Sequence, residues 1–521
     1  MILAKAGGSQ EHFSRFIFCL ALGLWGLSTL LRFWNVDLYA GLSFDDTAYA
    51  TSGRDLLLEG HGYWGDTLRP FATWWVAFFH KINGVSVVNV AVAFAALRSL
   101  GELFLILAGR RLFKDLAWAP LMIAAVAGSS FLGAHYGKQH LSSLLCTVPF
   151  SLWLYCRYLD SGKWRDWILC SVGSGLVFLS HYNTIAAFVF MLGSEMIRLK
   201  WLGRKPPQII LIGLSGIAIC FVTVMTLGKQ SYGYKNWMSY LKLVWLQMTQ
   251  SQTRVSPSFS DGFLFSFATW EGAAMLLYLG GIAWLVHRTF WDVQERRFLA
   301  FGFLPFLGVG LVWLRITLGY LSFPRLYVFA FPFVWLAAAG FLSAIAEKLL
   351  KDRSRSLQKG LAMLMALLFL GLAVAHQFAM KRFPSANAAL EHYLQSRPTT
   401  KFVVWSGNPH LAAFLFGWRW CPPSLSKEKA GNPAVYLQHP ALAEVCDVVI
   451  FQNPGMETLN RYDTVIRRAA PRVMVTNFYN GISSRLPIAA DEGGVLNVPP
   501  DFSEKTLLPM VRLYDLRGTE K

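Results

Sequence analysis

The sequence predicts an α-helical protein that crosses a membrane about eleven times and continues into a C-terminal α/β domain outside the membrane. Hydrophobic residues make up 54% of the 521 residues and charged residues only 15%, which is too little charge to cover the surface of a soluble protein of this length. Long apolar runs extend to residue 380; beyond it they become short, and Pro and Asn become frequent. This pattern excludes the soluble, disordered, collagen-like and coiled-coil classes.

Each predicted span is an apolar stretch close to the roughly 20 residues that a helix needs to cross a bilayer. The first stretch lacks a small-residue cleavage site and leads directly into more apolar chain, so we expect a retained anchor and not a signal peptide. The eleven stretches cover approximately residues 16–34, 85–108, 117–135, 141–156, 167–180, 185–197, 208–227, 263–286, 298–318, 326–346 and 360–380.

Lys and Arg are distributed unevenly among the loops. The segments 110–114, 198–205 and 348–359 are rich in these residues and alternate with loops that are poor in them. The positive-inside rule therefore places these segments and the N-terminus in the cytoplasm, and an odd number of spans places residues 381–521 outside. Residues 1–380 carry 32 basic and 18 acidic residues, so most of the net charge of +18 belongs to the membrane region. Nucleic acid is therefore not an expected partner.

Residues 381–521 are predicted to form a separate α/β domain. Apolar runs at 402–405, 448–451 and 473–476 are typical of buried strands, and residues 456–469 have helical spacing, so we expect a small parallel sheet. We find no Gly-rich phosphate loop in this domain and no internal repeat in the chain. Cys421 and Cys446 lie in this domain, where they are either a disulfide or two separate thiols.

Acidic residues are concentrated in the loop between the first two spans. Six of the 18 acidic residues of the membrane region fall within positions 37–66, and Asp45 and Asp46 are adjacent. Adjacent carboxylates that are shielded from solvent repel each other, which favours a general base or a metal ligand. The alternative is a solvated acidic loop in which one of the two aspartates caps an amphipathic helix that begins at Thr47.

Five segments resemble, in the same order, the motifs of one superfamily of membrane enzymes. They are Phe-Asp-Asp-Thr-Ala-Tyr-Ala at 44–50, Leu-Arg-Ser-Leu at 97–100 with Ala-Gly-Arg-Arg-Leu-Phe at 108–113, His-Tyr-Gly-Lys-Gln at 135–139, Leu-Ser-His-Tyr at 179–182, and Phe-Pro-Arg-Leu-Tyr at 323–327 with Pro332. They resemble the GT-C superfamily of integral-membrane glycosyltransferases, and within it the protein O-mannosyltransferase and aminoarabinose-transferase branch. The resemblance covers residues 16–345 and implies a polyprenyl-phosphate sugar as donor and a lipid, glycan or protein hydroxyl as acceptor.

The resemblance also implies roles for individual residues. In the superfamily the first aspartate of the loop motif is the catalytic base, which corresponds to Asp45, and Asp46 takes the acidic second place. Because polyprenyl phosphate is a good leaving group, the enzyme must deprotonate the acceptor and stabilise the departing phosphate. Lys138 and Arg325 are the candidate phosphate-binding cations, although Arg325 could instead anchor in the lipid headgroups. Five further residues are candidates for substrate binding, and the alternative for each is a position at the membrane interface without contact to substrate. They are Tyr49, His135, Tyr136, His181 and Tyr182.

No metal or other cofactor is expected. Some members of the branch carry another acidic residue before the fourth span, whereas the segment 138–143 has none, so a divalent metal would lose a ligand. The resemblance further implies inversion at the anomeric carbon, a bacterial inner membrane as the location, and a periplasmic C-terminal domain.

Further charged residues lie within or near the predicted spans. Arg98 and Glu102 are four residues apart on one face of the second span, so we expect them to form a buried ion pair. Asp261, Glu271 and Arg315 are near outer span ends, where they either contact substrate or lie at the interface.

Other kinds of protein remain open on the sequence alone. A transporter of polyprenyl-linked glycans or lipids would carry its polar residues near the bilayer midplane, often in repeated halves, whereas the acidic cluster here lies at a membrane boundary. A receptor would use the outer domain, but eleven spans exceed what an anchor needs. Among enzymes, a ligase or polymerase of diphosphate-linked oligosaccharides is the alternative to a transferase of single sugars.

Overall fold

The structure is a computed structural model of the chain. It describes residues 2–36, 44–60, 69–137, 139–181, isolated positions between 215 and 242, residues 271–291 and 328–380, residue 391, and the three strands at 402–406, 448–452 and 511–515.

Most of the described chain is helical. The helices in chain order are α1 (Ile2–Phe33), α2 (Phe44–Glu59), α3 (Pro70–Asn83), α4 (Val87–Leu112), α5 (Ala119–Ser129), α6 (Phe131–Tyr136), α7 (Ser142–Ser161), α8 (Trp164–Ser180), α9 (Ala274–Trp291), α10 (Phe331–Leu350) and α11 (Arg355–Met380).

Four of the described helices are long and apolar enough to cross a membrane. They contain the spans Gln10–Phe33, Val87–Leu112, Val328–Leu350 and Arg355–Phe378, and match the predicted stretches at 16–34, 85–108, 326–346 and 360–380. The shorter apolar helix Ala119–Ser129 falls within the predicted stretch 117–135, and Ala274–Arg288 overlaps the predicted stretch 263–286. The stretches at 185–197 and 298–318, and most of 208–227, lie outside the described residues, so the number of eleven spans stays a prediction.

The predicted span at 117–135 is wrong in one respect, because it is two helices and not one. α5 ends at Ser129, and Ser130 adopts an extended backbone (φ −62°, ψ 124°) before α6 begins at Phe131. The break between α5 and α6 is stabilised by Glu271, a residue that is distant in the sequence. The Glu271 carboxylate accepts hydrogen bonds from the Ser130 hydroxyl (2.7 Å), the Leu132 backbone N–H (2.8 Å) and the Tyr278 hydroxyl (2.9 Å). This contact gives Glu271 a structural role.

The C-terminal region contains a three-stranded sheet in the order β1 (Phe402–Ser406), β2 (Val448–Gln452) and β3 (Val511–Asp515). The predicted strands at 402–405 and 448–451 are confirmed, and they pair in parallel. β3 pairs with β2 in the antiparallel direction, so the sheet is mixed and the prediction of a parallel sheet is wrong. The predicted strand at 473–476, the helix at 456–469, and Cys421 and Cys446 lie outside the described residues. An α/β domain that begins at residue 381 therefore stays a prediction.

The chain divides into two compact units. The first contains Met1–Trp34, Asp66–Ala72 and Phe94–Gln377, and the second contains Asn35–Gly65, Thr73–Ala93 and Phe378–Lys521. In the first unit α5 packs against α1 and α10, α9 packs against α10, and α7 packs against α8. Glycine permits the close approach of α9 to α10, because a Cβ atom on Gly281 would lie 2.5 Å from the Ala338 backbone nitrogen. Small residues serve helix packing in membranes in this way.

Within the second unit, α2 packs on α3 and α3 is tied to α4. A Cβ atom on Gly53 of α2 would lie 2.9 Å from Val76 Cγ1 of α3, so glycine is needed for this approach. The Trp75 indole N–H donates to the Ala93 carbonyl at 2.8 Å. The first N–H group of α4, on Val87, donates to both carboxylate oxygens of Glu391, at 2.9 and 3.0 Å. Glu391 thus satisfies a helix N-terminus from 304 residues away.

The Glu391 contact makes stability depend on pH. Burial raises the pKa of Glu391 from 4.5 to about 7, and the Val87 N–H opposes part of this shift. Between these two values the folded protein retains a proton that the unfolded chain has released, so the free energy of unfolding should fall as the pH rises. We expect the apparent melting temperature in detergent to fall from about pH 5 to about pH 8, and to fall less in Glu391→Gln. The same fall in both proteins would contradict this assignment.

Candidate functional site

α2 is a polar helix that is buried inside the protein. The exposed fraction of its side chains is 0% at Asp46 and Thr47, 2% at Ser52 and 4% at Asp55. The helix begins at Phe44, so Asp45 and Asp46 lie in its first turn and do not precede it as caps. A carboxylate is costly to bury, and a helix whose polar side chains are removed from solvent is a candidate functional element. For Asp46 the alternative of a solvated acidic loop is therefore wrong.

Both aspartates lie at the N-terminal end of α2. The first turn of a helix has N–H groups without intrahelical partners, and the helix dipole places partial positive charge there. The backbone of Asp45 lies in this turn, and its side chain lies outside the described residues. Tyr49, one turn further, is 4% exposed and belongs to the interior.

A buried histidine of α3 faces the middle of α2. Burial lowers the pKa of His80 to about 4, and the nearby Arg54 acts in the same direction, while hydrogen bonds with the backbones of Gly84 and Ala50 oppose the shift. At neutral pH His80 is therefore uncharged. It therefore adds no positive charge beside α2.

In the first unit, the turn between α6 and α7 is buried and polar. The exposed fraction is 6% at Gln139, 3% at His140, 0% at Ser142 and 1% at Ser143. Turn hydrogen bonds run from the Ser142 N–H to the Gln139 carbonyl (2.8 Å) and from the Ser143 N–H to the His140 carbonyl (3.0 Å). The Ser142 hydroxyl is buried and makes no hydrogen bond with any residue of the described chain.

The structure brings Arg69 to this turn. Arg69 Nη1 lies 3.2 Å from His140 Nε2. A guanidinium group can only donate, so in this contact Arg69 is the donor. Sequence patterns alone do not select Arg69, because its partner His140 lies 71 residues away along the chain. The one local signal is Pro70 after it, a residue typical of a helix start. Arg69 thus places a cation beside the segment at 135–140.

The other sequence candidates have varied positions. Tyr136 is completely buried and its ring lies 6.2 Å from that of Phe331, so it is a core residue and not an interfacial aromatic. His181 follows α8, is 4% exposed, and donates its backbone N–H to the Val177 carbonyl at 3.2 Å. The backbone of His135 lies in α6, but its side chain is outside the described part of the chain. Both the backbone and the side chain lie outside the described residues for Lys138, Tyr182, Asp261, Arg315 and Arg325.

The predicted ion pair within α4 is confirmed, and it has a second arginine. Glu102 lies 2.7 Å from Arg98 Nη2, and it also accepts hydrogen bonds from Arg32 Nη2 of α1 at 2.5 and 2.6 Å. Arg98 also donates to the Ala127 carbonyl (2.5 Å) and lies 4.5 Å from the ring centroid of Trp335. All three charged side chains are at most 4% exposed. This Arg32–Glu102–Arg98 cluster joins α1, α4 and α5 and satisfies charges that would otherwise be costly within a bilayer.

A metal centre finds no support in the described chain. Among the described residues no group of three His, Cys, Asp or Glu side chains is placed to hold an ion. The absence of a catalytic metal stays a prediction, because several candidate residues lie outside this part of the chain.

Long apolar helices, buried ion pairs and a buried polar helix define a polytopic membrane protein with an internal polar site. Residues 68–226 match the family model described as dolichyl-phosphate-mannose-protein mannosyltransferase. This range includes Arg69 and the motifs at 97–100, 108–113, 135–139 and 179–182, but not the one at 44–50. No curated protein sequence matches the chain.

The fold is similar to that of a solved membrane protein. ArnT from Cupriavidus metallidurans bound to undecaprenyl phosphate superposes with a TM-score of 0.56 at 14% identity, covering 88% of this chain and 95% of that one. The apo state of the same protein gives a TM-score of 0.53 at 14% identity, covering 91% and 96%. The similarity of the fold and the match of residues 68–226 both agree with the predicted resemblance to the GT-C superfamily.

Proposed function

We propose that the chain is a membrane glycosyltransferase that moves a sugar from a polyprenyl-phosphate donor to a hydroxyl acceptor at the outer face of the membrane. The observation that carries the proposal is the complete burial of Asp46 in the first turn of α2, in a chain with the GT-C fold. The acceptor is a hydroxyl of a lipid, a glycan or a protein. By the orientation that the Lys and Arg bias predicts, the site faces the periplasm of a bacterial inner membrane.

Asp45 is the proposed general base. Transfer from a polyprenyl-phosphate sugar requires an acceptor oxygen that loses its proton as it attacks the anomeric carbon, while the phosphate leaves with the bonding electrons. Direct attack inverts the configuration of that carbon. The buried Asp46 is fixed in the same helical turn, where its charge favours transfer of the acceptor proton to Asp45.

The departing phosphate needs cations, and Arg69 is the one that the structure adds to the candidates. Its guanidinium group reaches a buried turn that also carries the Ser142 hydroxyl, and both can donate hydrogen bonds to phosphate oxygens. The first backbone N–H groups of α7 are already bound by turn carbonyls, so side chains must supply the donors. Lys138 and Arg325 remain proposed phosphate-binding residues, and His135, His181, Tyr49, Tyr136 and Tyr182 remain proposed neighbours of the substrate.

The choice of donor rests on the bound lipid of a structural relative. ArnT from Cupriavidus metallidurans was crystallised with undecaprenyl phosphate, and we propose a carrier lipid of the same class here. The family model matched by residues 68–226 is described by a dolichyl-phosphate-linked sugar, which is also a polyprenyl-phosphate donor.

A reconstitution experiment separates the transferase from a transporter. The purified full-length chain would be placed in liposomes that contain a polyprenyl-phosphate sugar labelled in the sugar, together with a membrane extract as source of acceptor. We expect label to appear in a new product and unlabelled polyprenyl phosphate to accumulate. Movement of intact donor between leaflets without any chemical change would contradict the proposal and favour a transporter.

Arg69→Gln is expected to weaken donor binding about tenfold to hundredfold, because a charged hydrogen bond to phosphate contributes about 1.5–3 kcal/mol. Binding of polyprenyl phosphate to the purified protein would be measured by titration in detergent. Arg69→Lys should recover part of the affinity, because lysine supplies charge without the bidentate geometry.

The matched control is Arg165→Gln, which removes an exposed arginine from the start of α8. We expect the affinity of this variant to equal that of the wild type. If Arg69→Gln bound polyprenyl phosphate as tightly as the wild type does, Arg69 would not be a phosphate-binding residue.

A further inference from the structure

A cavity of about 510 Å³ lies among the ends of α1, α9, α10 and α11 and the start of α5. These ends adjoin the segments 110–114 and 348–359, which the Lys and Arg bias predicts to be cytoplasmic. The cavity is therefore at the end of the helices opposite to the predicted outer loops. It belongs entirely to the first compact unit, and none of the proposed transferase residues lines it.

Cations outnumber carboxylates in the lining of this cavity, which includes Asp115, Arg288, Glu347, Lys348, Lys351 and Arg355. Both carboxylates are already engaged. Asp115 pairs with Arg288 at 2.5 Å, and Glu347 accepts the Ala117 backbone N–H at 2.8 Å. The local charge of the cavity is therefore positive beyond what its own acidic residues balance.

Two of the cations have no counter-charge among the residues that the structure describes. Lys348 and Lys351 are exposed and make no hydrogen bond or ion pair with any residue that the structure describes. Arg355 donates to the Gln358 side chain at 2.7 Å, lies 4.9 Å from the ring centroid of Phe13, and interacts electrostatically with the Glu347 carboxylate. Lys348 and Lys351 are thus available to an anionic ligand, and Arg355 is a third cation in the same lining.

Exposed apolar side chains neighbour these cations in α10 and α11, as a cavity at the level of the lipid headgroups requires. Ile345 and Leu349 of α10 are 38% and 68% exposed, and Leu357 of α11 is 47% exposed. Trp118 and Trp284 contribute to the lining, and tryptophan is typical of the membrane interface. A soluble anion would use the cations alone, whereas a lipid with a phosphate headgroup uses the cations and the exposed aliphatic surface together.

We propose that this cavity binds the phosphate headgroup of an anionic phospholipid from the cytoplasmic leaflet. Lys348, Lys351 and Arg355 bind the phosphate, and the acyl chains lie against Ile345, Leu349 and Leu357. Basic cavities between helices at the cytoplasmic side bind anionic headgroups by this combination of charge and apolar contact.

The test measures binding of phosphatidylglycerol to the purified full-length chain by native mass spectrometry and by the shift in melting temperature. Phosphatidylcholine is the zwitterionic comparison, and glycerophosphoglycerol and inorganic phosphate represent soluble sources of the same chemistry. We expect phosphatidylglycerol alone to bind and to stabilise the wild type. The variant Lys348→Gln/Lys351→Gln should bind it about 30-fold more weakly, at roughly 1 kcal/mol for each cation.

The matched control, Lys163→Gln/Arg165→Gln, removes two exposed cations from a segment that is predicted to be on the same side of the membrane and does not line the cavity. This variant should retain the wild-type affinity. Equal binding of phosphatidylcholine and phosphatidylglycerol, or full affinity in the lysine variant, would overturn the proposal. If glycerophosphoglycerol or phosphate stabilised the protein as much as phosphatidylglycerol does, the ligand would be a soluble anion and not a lipid. That result would also overturn the proposal.

Discussion

Glu102→Gln is expected to destabilise the protein by about 3–5 kcal/mol, because it removes the carboxylate from between two buried arginines. Arg32 and Arg98 both contact Glu102 within 2.7 Å, and all three side chains are at most 4% exposed. Glutamine has nearly the same shape as glutamate, so the loss of stability would come from the lost charge and not from a cavity. The free energy of unfolding would be measured by chemical denaturation of the purified protein in detergent micelles.

The chain offers a matched control for this effect. Glu11 and Arg15 form an ion pair with the same four-residue spacing and a similar distance, 2.5 Å, but their side chains are 64% and 68% exposed. Solvent screens this pair, so Glu11→Gln should change the free energy of unfolding by less than about 1 kcal/mol. If the two variants were equally stable, the cluster would not be the anchor between α1 and α4 that we infer.

Asp45→Asn is expected to lower the rate of sugar transfer by about 10²- to 10⁴-fold, the range that a positioned general base contributes. Asparagine preserves the size of the side chain but cannot accept the proton of the acceptor hydroxyl. The rate would be measured in single-turnover reactions, so that release of product does not mask the chemical step. Donor affinity should change little, because the base acts on the acceptor and not on the phosphate.

Glu59→Gln is the control for this prediction, because it removes a carboxylate from the exposed end of the same helix. We expect it to transfer sugar at the wild-type rate. Asp46→Asn should also slow transfer, because it removes a buried charge from the same turn. Wild-type transfer by Asp45→Asn would exclude Asp45 as the base.

The membrane helices were predictable because hydrocarbon imposes a simple requirement on sequence. Twenty or so apolar residues in a row are needed, and the predictions at 16–34, 85–108, 326–346 and 360–380 follow from that requirement alone. The break at Ser130 was not predictable, because its flanks are apolar on both sides. The groups that the break exposes are satisfied by Glu271, which is 141 residues away from Ser130 along the chain.

The same distinction between local and distant contacts applies to charged residues. The pair of Arg98 and Glu102 follows from the four-residue spacing on one helical face, and it is confirmed. The contacts of Arg32 with Glu102 and of Arg69 with His140 join residues 70 and 71 positions apart. No periodicity in one sequence encodes such contacts.

The acidic loop shows how burial decides between two interpretations of one pattern. A cluster of carboxylates between spans is compatible with a solvated loop and with a catalytic site. The structure excludes the solvated alternative at Asp46, which is completely buried. In the sheet, the strands at 402–405 and 448–451 were predictable from their apolar runs. The antiparallel direction of β3 was not predictable, because apolar runs do not specify which strands pair or in which direction.

The most direct test of the central claim is donor consumption by the purified wild-type protein in lipid. A panel of labelled polyprenyl-phosphate sugars and nucleotide sugars would be incubated with a membrane extract, and free polyprenyl phosphate would be quantified by mass spectrometry. We expect release of polyprenyl phosphate in step with transfer of label, and loss of both in Asp45→Asn while the donor still binds. Consumption of nucleotide sugars alone, or binding of polyprenyl donors without any release, would contradict the account.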